Sequence, residues 1–133
     1  MEYRSLGRTG LRVSVLGFGC SNGAGLMVRG APKDREQVVA RALERGINYF
    51  DTAPSYGDGL SEQRLGDALR SLSAPAYVGT KFSLWPEDMG DARSAVARSL
   101  EGSLRRLGRE SVDLLQLHNP VARERRGAVV GLK

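Results

Sequence analysis

Gly46-Ile47-Asn48-Tyr49-Phe50-Asp51-Thr52-Ala53-Pro54-Ser55-Tyr56-Gly57 is the stretch whose reading decides the fold. Gly46 reads as the stop of a preceding helix, since glycine takes the left-handed conformation at a helix C-terminus without a Cβ penalty. Residues 47–50 then form a short apolar run that ends on an acid, Asp51, and a Pro-containing loop carries Tyr56 just beyond it. A short apolar run bounded by turn residues reads as a buried strand. An ionisable residue at its far end sits where parallel β/α folds place functional groups, at the C-terminal rim of the sheet.

The same rhythm recurs on both sides. Apolar runs at residues 13–19, 47–50, 76–78 and 112–117 follow one another at roughly 30-residue intervals, the length of a strand plus its crossover helix. A first helix is predicted from Asp34, with Asp34 as its cap and Gln37 completing a capping box; Val38, Val39, Ala42 and Leu43 make its apolar face. A second is predicted from Ser61, presenting Leu65, Ala68, Leu69 and Leu72. A third starts near Asp91, presents Val96, Leu100, Leu104 and Leu107, and stops at Gly108. Apolar strands alternating with amphipathic helices specify a parallel sheet covered by helices. An open doubly wound sheet and a closed barrel both fit. Residues 3–6 and 11–14 flank Gly7-Arg8-Thr9-Gly10, which predicts a small hairpin ahead of the first parallel strand, placed to plug the bottom of a barrel. No linker divides the chain, so residues 1–133 read as one domain.

A chain of 133 residues can bury one core. A whole eight-stranded barrel needs about 250 residues. The single cysteine, Cys20, excludes an intrachain disulfide and a Cys-rich zinc centre, and no metal site is expected. Met1-Glu2-Tyr3-Arg4 lacks the basic-then-apolar pattern of a secretory signal, and no apolar run approaches the ~18 residues of a membrane span. The expectation is a soluble cytoplasmic protein without a membrane partner. The net charge is +5, but arginines alternate with acids, as in Asp34-Arg35-Glu36 and Glu44-Arg45. No basic stretch interleaves with aromatics, so a nucleic-acid partner is not expected. Arg123-Glu124-Arg125-Arg126 reads as a solvated surface segment.

The rim rule selects Asp51, Tyr56, Lys81 after Val78-Gly79-Thr80, and His118, the only histidine, after Leu114-Leu115-Gln116-Leu117. Each alone has a plain structural explanation. Asp51 caps a turn before Pro54, Lys81 is a surface lysine, Tyr56 packs on Pro54, and His118 bonds the Asn119-Pro120 turn. Their coincidence at the ends of three consecutive strands argues for a site. A phenol, with an ordinary pKa of about 10, is a weak acid. An ammonium beside it favours the phenolate, and an aspartate holds the ammonium in place. A histidine orients or relays the proton at the same substrate oxygen. Such a set protonates a developing alkoxide, which suits carbonyl reduction. No side chain donates hydride, so a nicotinamide is implied.

The opening stretch, continued by Ser61-Glu62 and Leu65-Gly66, strongly resembles the signature of the aldo-keto reductases. Leu6-Gly7-Arg8-Thr9-Gly10-Leu11 and Leu16-Gly17-Phe18-Gly19 resemble that family's hairpin and first strand. Gly79-Thr80-Lys81 and Asp113-Leu114-Leu115-Gln116-Leu117-His118 match the next two landmarks in order, and the resemblance spans about residues 3 to 122. It implies an α/β fold, a TIM-type (β/α) barrel with a hairpin at its bottom, present here as a partial barrel of about four strand–helix units. It implies NADPH as cofactor, less often NADH, and aldehydes, ketones or sugars as substrates. By matching position, Asp51, Tyr56, Lys81 and His118 fall on the catalytic tetrad, with Tyr56 as general acid/base. The resemblance also places Gly19, Cys20 and Ser21 along the nicotinamide ribose, with Asp51 beside the cofactor, and Trp85 in a loop that lines the substrate pocket. A plain tight turn accounts for Gly17-x-Gly19 equally well, and packing on Pro86 for Trp85; the pair of glycines is too short for a Rossmann fingerprint. Cys20 reads as a small buried residue rather than a nucleophile.

After His118 the family continues with four more strand–helix units, whereas this sequence continues only through Asn119 to Lys133, where the apolar Ala128-Val129-Val130-Gly131-Leu132 is too short for another unit. The family's carboxamide-binding residues follow its fifth strand, and its pyrophosphate and 2′-phosphate sites follow the seventh and eighth. Three origins fit: a fragment of a longer reductase, a natural half-barrel that pairs with a partner, and a degenerate gene product. The functional expectation is carbonyl reduction with NAD(P)H. The alternative is a non-catalytic half-barrel that senses nucleotide or binds a partner. Open sheet edges would favour self-association in either case. Carbonyl-dependent NAD(P)H oxidation marks the first, and partner binding without turnover the second.

Overall fold

The computed structural model describes residues 1–23 and 25–120. The basic cluster at 123–126 and the apolar run at 128–132 lie outside the described residues.

Gly7 and Gly10 take positive φ (+54° and +78°), so the chain reverses between them. The flanking residues pair as an antiparallel hairpin, β1 (Tyr3–Ser5) with β2 (Arg12–Ser14), in which Tyr3 faces Ser14 and Ser5 faces Arg12. Asn48 ties the hairpin down: its side chain accepts from Ser14 N at 2.7 Å and donates to Arg12 O at 3.0 Å. The Tyr3 hydroxyl adds a bond to Gly46 O at 3.0 Å. Both anchors precede a sheet strand, so the hairpin sits at the N-terminal end of the sheet.

The apolar run 13–19 is shared between two elements, as the expected hairpin requires. The hairpin claims Arg12–Ser14, and the parallel sheet begins at β3 (Phe18–Gly19). The parallel sheet runs in the order β3, β4 (Tyr49–Asp51), β5 (Tyr77–Phe82), β6 (Leu114–Leu117). Every crossover steps to the next strand in the same direction. A doubly wound sheet reverses direction at its switch point; this one does not, which is the winding of a barrel wall. Gly19 faces Asp51, Asp51 faces Gly79, Gly79 faces Leu114, and Lys81 faces Gln116.

With this register one sheet face carries Phe18, Phe50, Val78 and Thr80, and the other carries Gly19, Tyr49, Asp51, Gly79, Lys81 and Gln116. The first face meets the helices. Phe50 and Val78 are buried against Val39, Ala42, Leu65, Ala68, Leu69 and Leu107. Those residues come from α2 (Pro32–Glu44), α3 (Leu60–Ser71) and α4 (Ala92–Leu107), while the short α1 (Leu26–Arg29) closes the loop after β3. The second face bears Asp51, Lys81 and Gln116.

Helix ends follow local chemistry with two corrections. α2 starts at Pro32 rather than Asp34, since proline is preset for the first turn; Asp34 sits inside that turn, where its charge suits the helix dipole. α3 starts at Leu60 behind Gly59 (φ +88°), and Ser61 turns inward. α4 forms as expected: Asp91 accepts from Ser94 N at 3.1 Å, and Gly108 ends it at φ +62°. A 3-10 turn, Pro86–Gly90, was not legible in the periodicity. The strand predicted over 76–78 extends to Phe82, which puts Lys81 in the sheet itself. No helix among the described residues is long and apolar enough to cross a membrane.

Candidate active site

Asp51 is the last residue of β4, Lys81 the penultimate residue of β5, and His118 follows β6 directly. His118 N donates to Phe82 O at 2.8 Å, which carries the β5–β6 ladder one step further and fixes where the imidazole starts. Tyr56 comes from the loop after β4. Its backbone is held at both ends, its N–H on Ala53 O at 3.1 Å and its carbonyl accepting from Ser61 N at 3.2 Å.

These elements bring the four sequence candidates together. Lys81 Nζ donates to Asp51 Oδ2 at 2.5 Å and to Thr52 O at 2.8 Å. The Lys81 side chain is 12% exposed and that of Asp51 31%, so water screens the pair only in part. The ammonium lies 4.9 Å from the centroid of the Tyr56 ring, within cation–π range. The Tyr56 ring meets His118 edge to face, centroids 5.7 Å apart at 86°. Lysine has three N–H donors; two are taken by acceptors of β4 and its loop, which leaves one for the Tyr56 side.

The neighbouring titratable groups sort themselves. Partial burial, and then the Lys81 charge, lower the His118 pKa below its ordinary value, with Asp51 acting the other way. The imidazole is therefore neutral at pH 7 and able both to donate and to accept. A second tyrosine, Tyr49, is pushed up to about 12 by burial and then by the Asp51 carboxylate, so it holds its proton firmly. Tyr56, not Tyr49, is the phenol that borders both Lys81 and His118. Cys20 is pushed up to about 12 by burial and then by Asp51, with Lys81 opposing; such a thiol is no nucleophile.

The three residues expected along a ribose part company. Gly19 is exposed on the polar face opposite Asp51, and no atom lies within 4 Å of where a Cβ would stand. That bare patch admits a flat ring close to the backbone. Ser21 is half-exposed. Cys20 is 1% exposed; its N–H donates to Asp51 O at 2.9 Å, and its carbonyl accepts from Ser61 Oγ at 2.9 Å. Its contribution is to the sheet. Trp85 stands exposed beyond β5, its N–H held by Asp88 Oδ2 at 2.9 Å.

Four further residues were missed as participants. Gln116 Nε2 donates to Asp51 Oδ1 at 3.0 Å, and the Tyr49 hydroxyl lies 3.5 Å from the same oxygen. Behind the sheet, Ser61 Oγ also pairs with Thr52 Oγ1 at 2.9 Å. Glu62, fully buried, accepts from Thr80 Oγ1 at 2.5 Å and from Arg106 Nε at 2.6 Å. The available signal was polarity out of place: an amide inside the apolar run 114–117, and Ser61 and Glu62 on the helix face that also presents Leu65 and Leu69.

Comparison with known proteins agrees with this arrangement. The chain is 39% identical over 122 residues to L-galactose dehydrogenase of Arabidopsis thaliana, covering 90% of this chain and 38% of that protein. Its structure superposes on an aldo-keto reductase from Bacillus halodurans in its holo form with a TM-score of 0.74 and 32% identity, covering 91% of this chain and 41% of the other. An aldo-keto reductase from Klebsiella pneumoniae in complex with NADPH matches with a TM-score of 0.67 and 30% identity, over 85% of this chain and 38% of that one. The chain thus spans about four-tenths of the length of these relatives. The parallel sheet with its N-terminal hairpin is a part of their barrel. A profile of the Aldo/keto reductase family matches residues 15–127, which contain the whole Asp51–Tyr56–Lys81–His118 arrangement, and the chain belongs to that family.

Proposed function

We propose that this site is the proton-donating centre of an NAD(P)H-dependent carbonyl reductase, acting on an aldehyde, ketone or sugar. The observation that carries the reading is the placement of Lys81, 2.5 Å from the Asp51 carboxylate and 4.9 Å from the Tyr56 ring centroid. Asp51 and Thr52 O hold the ammonium in place. With the ammonium over its ring and His118 at its edge, the phenol gives its proton to a carbonyl oxygen as charge builds there. His118, neutral, donates a second hydrogen bond to the same oxygen and orients the substrate. The side chains supply protons and no electrons; NAD(P)H, when bound, supplies the hydride. Gly19, Cys20, Ser21 and Asp51 are read as the residues that border the nicotinamide and its ribose, Cys20 through its backbone, and NADPH is preferred to NADH on the strength of the NADPH-bound relative.

Residues 1–133 are read as a partial aldo-keto reductase domain working in the cytoplasm, and the site as active when the barrel around it is completed. The outer strands of the described sheet are β3 and β6, and Leu16 near the one and Leu117 in the other are exposed (61% and 41%). Self-association is the outcome expected of the chain alone, and sedimentation reads it. The test of function is oxidation of NADPH that depends on an added carbonyl compound. Oxidation that proceeds equally without the carbonyl, or not at all in the assembled protein, contradicts the reading.

A further inference from the structure

The two carboxylate oxygens of Asp51 have different partners. Oδ2 lies on Lys81 at 2.5 Å, and Oδ1 accepts from Gln116 Nε2 at 3.0 Å. Gln116 Nε2 also lies 3.4 Å from the Tyr49 hydroxyl, itself 3.5 Å from Oδ1. The register makes this possible: Lys81 and Gln116 are direct neighbours on β5 and β6, and Asp51 is one strand away on the same face. Two glycines clear the way for Tyr49. A Cβ on Gly17 would come 3.1 Å from Tyr49 Cδ1, and a Cβ on Gly79 would strike the hydroxyl end of the ring. A glycine inside a strand weakens it unless something must approach closely; here the Tyr49 ring does. Gln116 is likewise an unusual choice. A leucine continues the run 114–117 better, and an amide is useful only where the face offers something to bond.

We infer that Gln116 is a positioning residue for the Asp51–Lys81 pair. A carboxylate held through one oxygen alone is free to rock about its terminal torsion. The Gln116 amide holds the second oxygen and so fixes the plane in which the first meets the ammonium, with the Tyr49 hydroxyl beside the Gln116-bonded oxygen. Its consequence for turnover rests on the proposed function; its consequence for geometry does not.

Among the described residues, Asp51 and Tyr49 from β4 bond Gln116 and Lys81 is its neighbour on β5; Tyr56 borders Lys81 and His118 in turn. The test compares wild type, Gln116→Leu and Gln116→Glu in the full chain. The chain has three lysines, Lys33, Lys81 and Lys133, so the Lys81 ammonium is resolvable by nitrogen-15 NMR without any cofactor. In Gln116→Glu the introduced carboxyl, beside the Asp51 carboxylate, keeps its proton to higher pH than a free glutamic acid and then donates as the amide did. Near about pH 5 the Lys81 signal should match wild type; as pH rises to about 8 the new carboxylate repels Asp51 and the signal should depart from it. Wild type over the same range subtracts the titration of His118. Gln116→Leu should displace the signal throughout and lower kcat about ten-fold, with KM for NADPH unchanged. A Lys81 signal that tracks wild type at every pH in Gln116→Glu overturns the inference, even where Gln116→Leu fails to fold. Signals that move as described, with no carbonyl-dependent NADPH oxidation by any of the three in the assembled protein, uphold the positioning role and sink the reductase reading alone.

Discussion

Lys81 takes two acceptors from adjacent residues, the Asp51 carboxylate at the end of β4 and the Thr52 carbonyl just beyond it. The charge is felt at His118. Burial is the larger cause of the lowered His118 pKa and Lys81 the second. Lys81→Met should therefore raise the midpoint of the single histidine, read by proton NMR, while leaving it below the ordinary value of 6.5 because burial remains. An unmoved midpoint would mean that the two groups do not share a site. Cys20 makes a prediction on the alkaline side. Its folded pKa is raised, so the folded state holds the proton more tightly than the unfolded chain. That contribution to stability is complete below the ordinary thiol value of 9.0 and is lost as pH climbs through about 12. Cys20→Ala should flatten the fall of stability above pH 9.0, measured by urea unfolding at stepped pH. An equally steep fall would place the titrating group elsewhere.

At the scale of elements, the first turn of α3 is the joint of the fold. Ser61 reaches Cys20 O beside β3 and Thr52 beside β4, and Glu62 reaches Thr80 in β5 and Arg106 in α4. One helix end thus fixes the strand ends that carry Asp51 and Lys81. Glu62→Ala leaves Arg106 without its carboxylate and Thr80 without its acceptor. It should cost about 3 kcal/mol of stability by denaturant unfolding, and Glu62→Gln distinctly less. A loss below about 1 kcal/mol for the alanine variant would show the joint to be dispensable. This joint also marks how far the sequence could be read. The α4 ends were legible because Asp91 and Gly108 act within a few residues of themselves. The start of α2 was misplaced because two local signals, Pro32 and Asp34, competed and proline decided. The rim positions of Asp51, Lys81 and His118 followed from where apolar runs end. Gln116, Tyr49 and Glu62 were hidden because their partners lie 65, 2 and 44 residues away along the chain, and the nearest of these becomes a partner only when a strand aligns it.

For the whole molecule, the steady β3-to-β6 order and the one-sided helix layer give the wall of a barrel, with the polar face turned to where an interior would be. That face carries Asp51 and Lys81, with Tyr56 and His118 beside them, and the hairpin is bonded at the opposite end of the sheet. The central claim is that Tyr56 donates the proton on this face. The most direct test is NADPH oxidation with an aldehyde by the assembled protein, wild type against Tyr56→Phe, alongside a fluorescence titration of NADPH binding. The phenylalanine variant keeps the ring beside Lys81 and His118 and removes only the acid. The account predicts turnover lowered by about 100-fold or more with NADPH binding unchanged; a variant that turns over near the wild-type rate would contradict it.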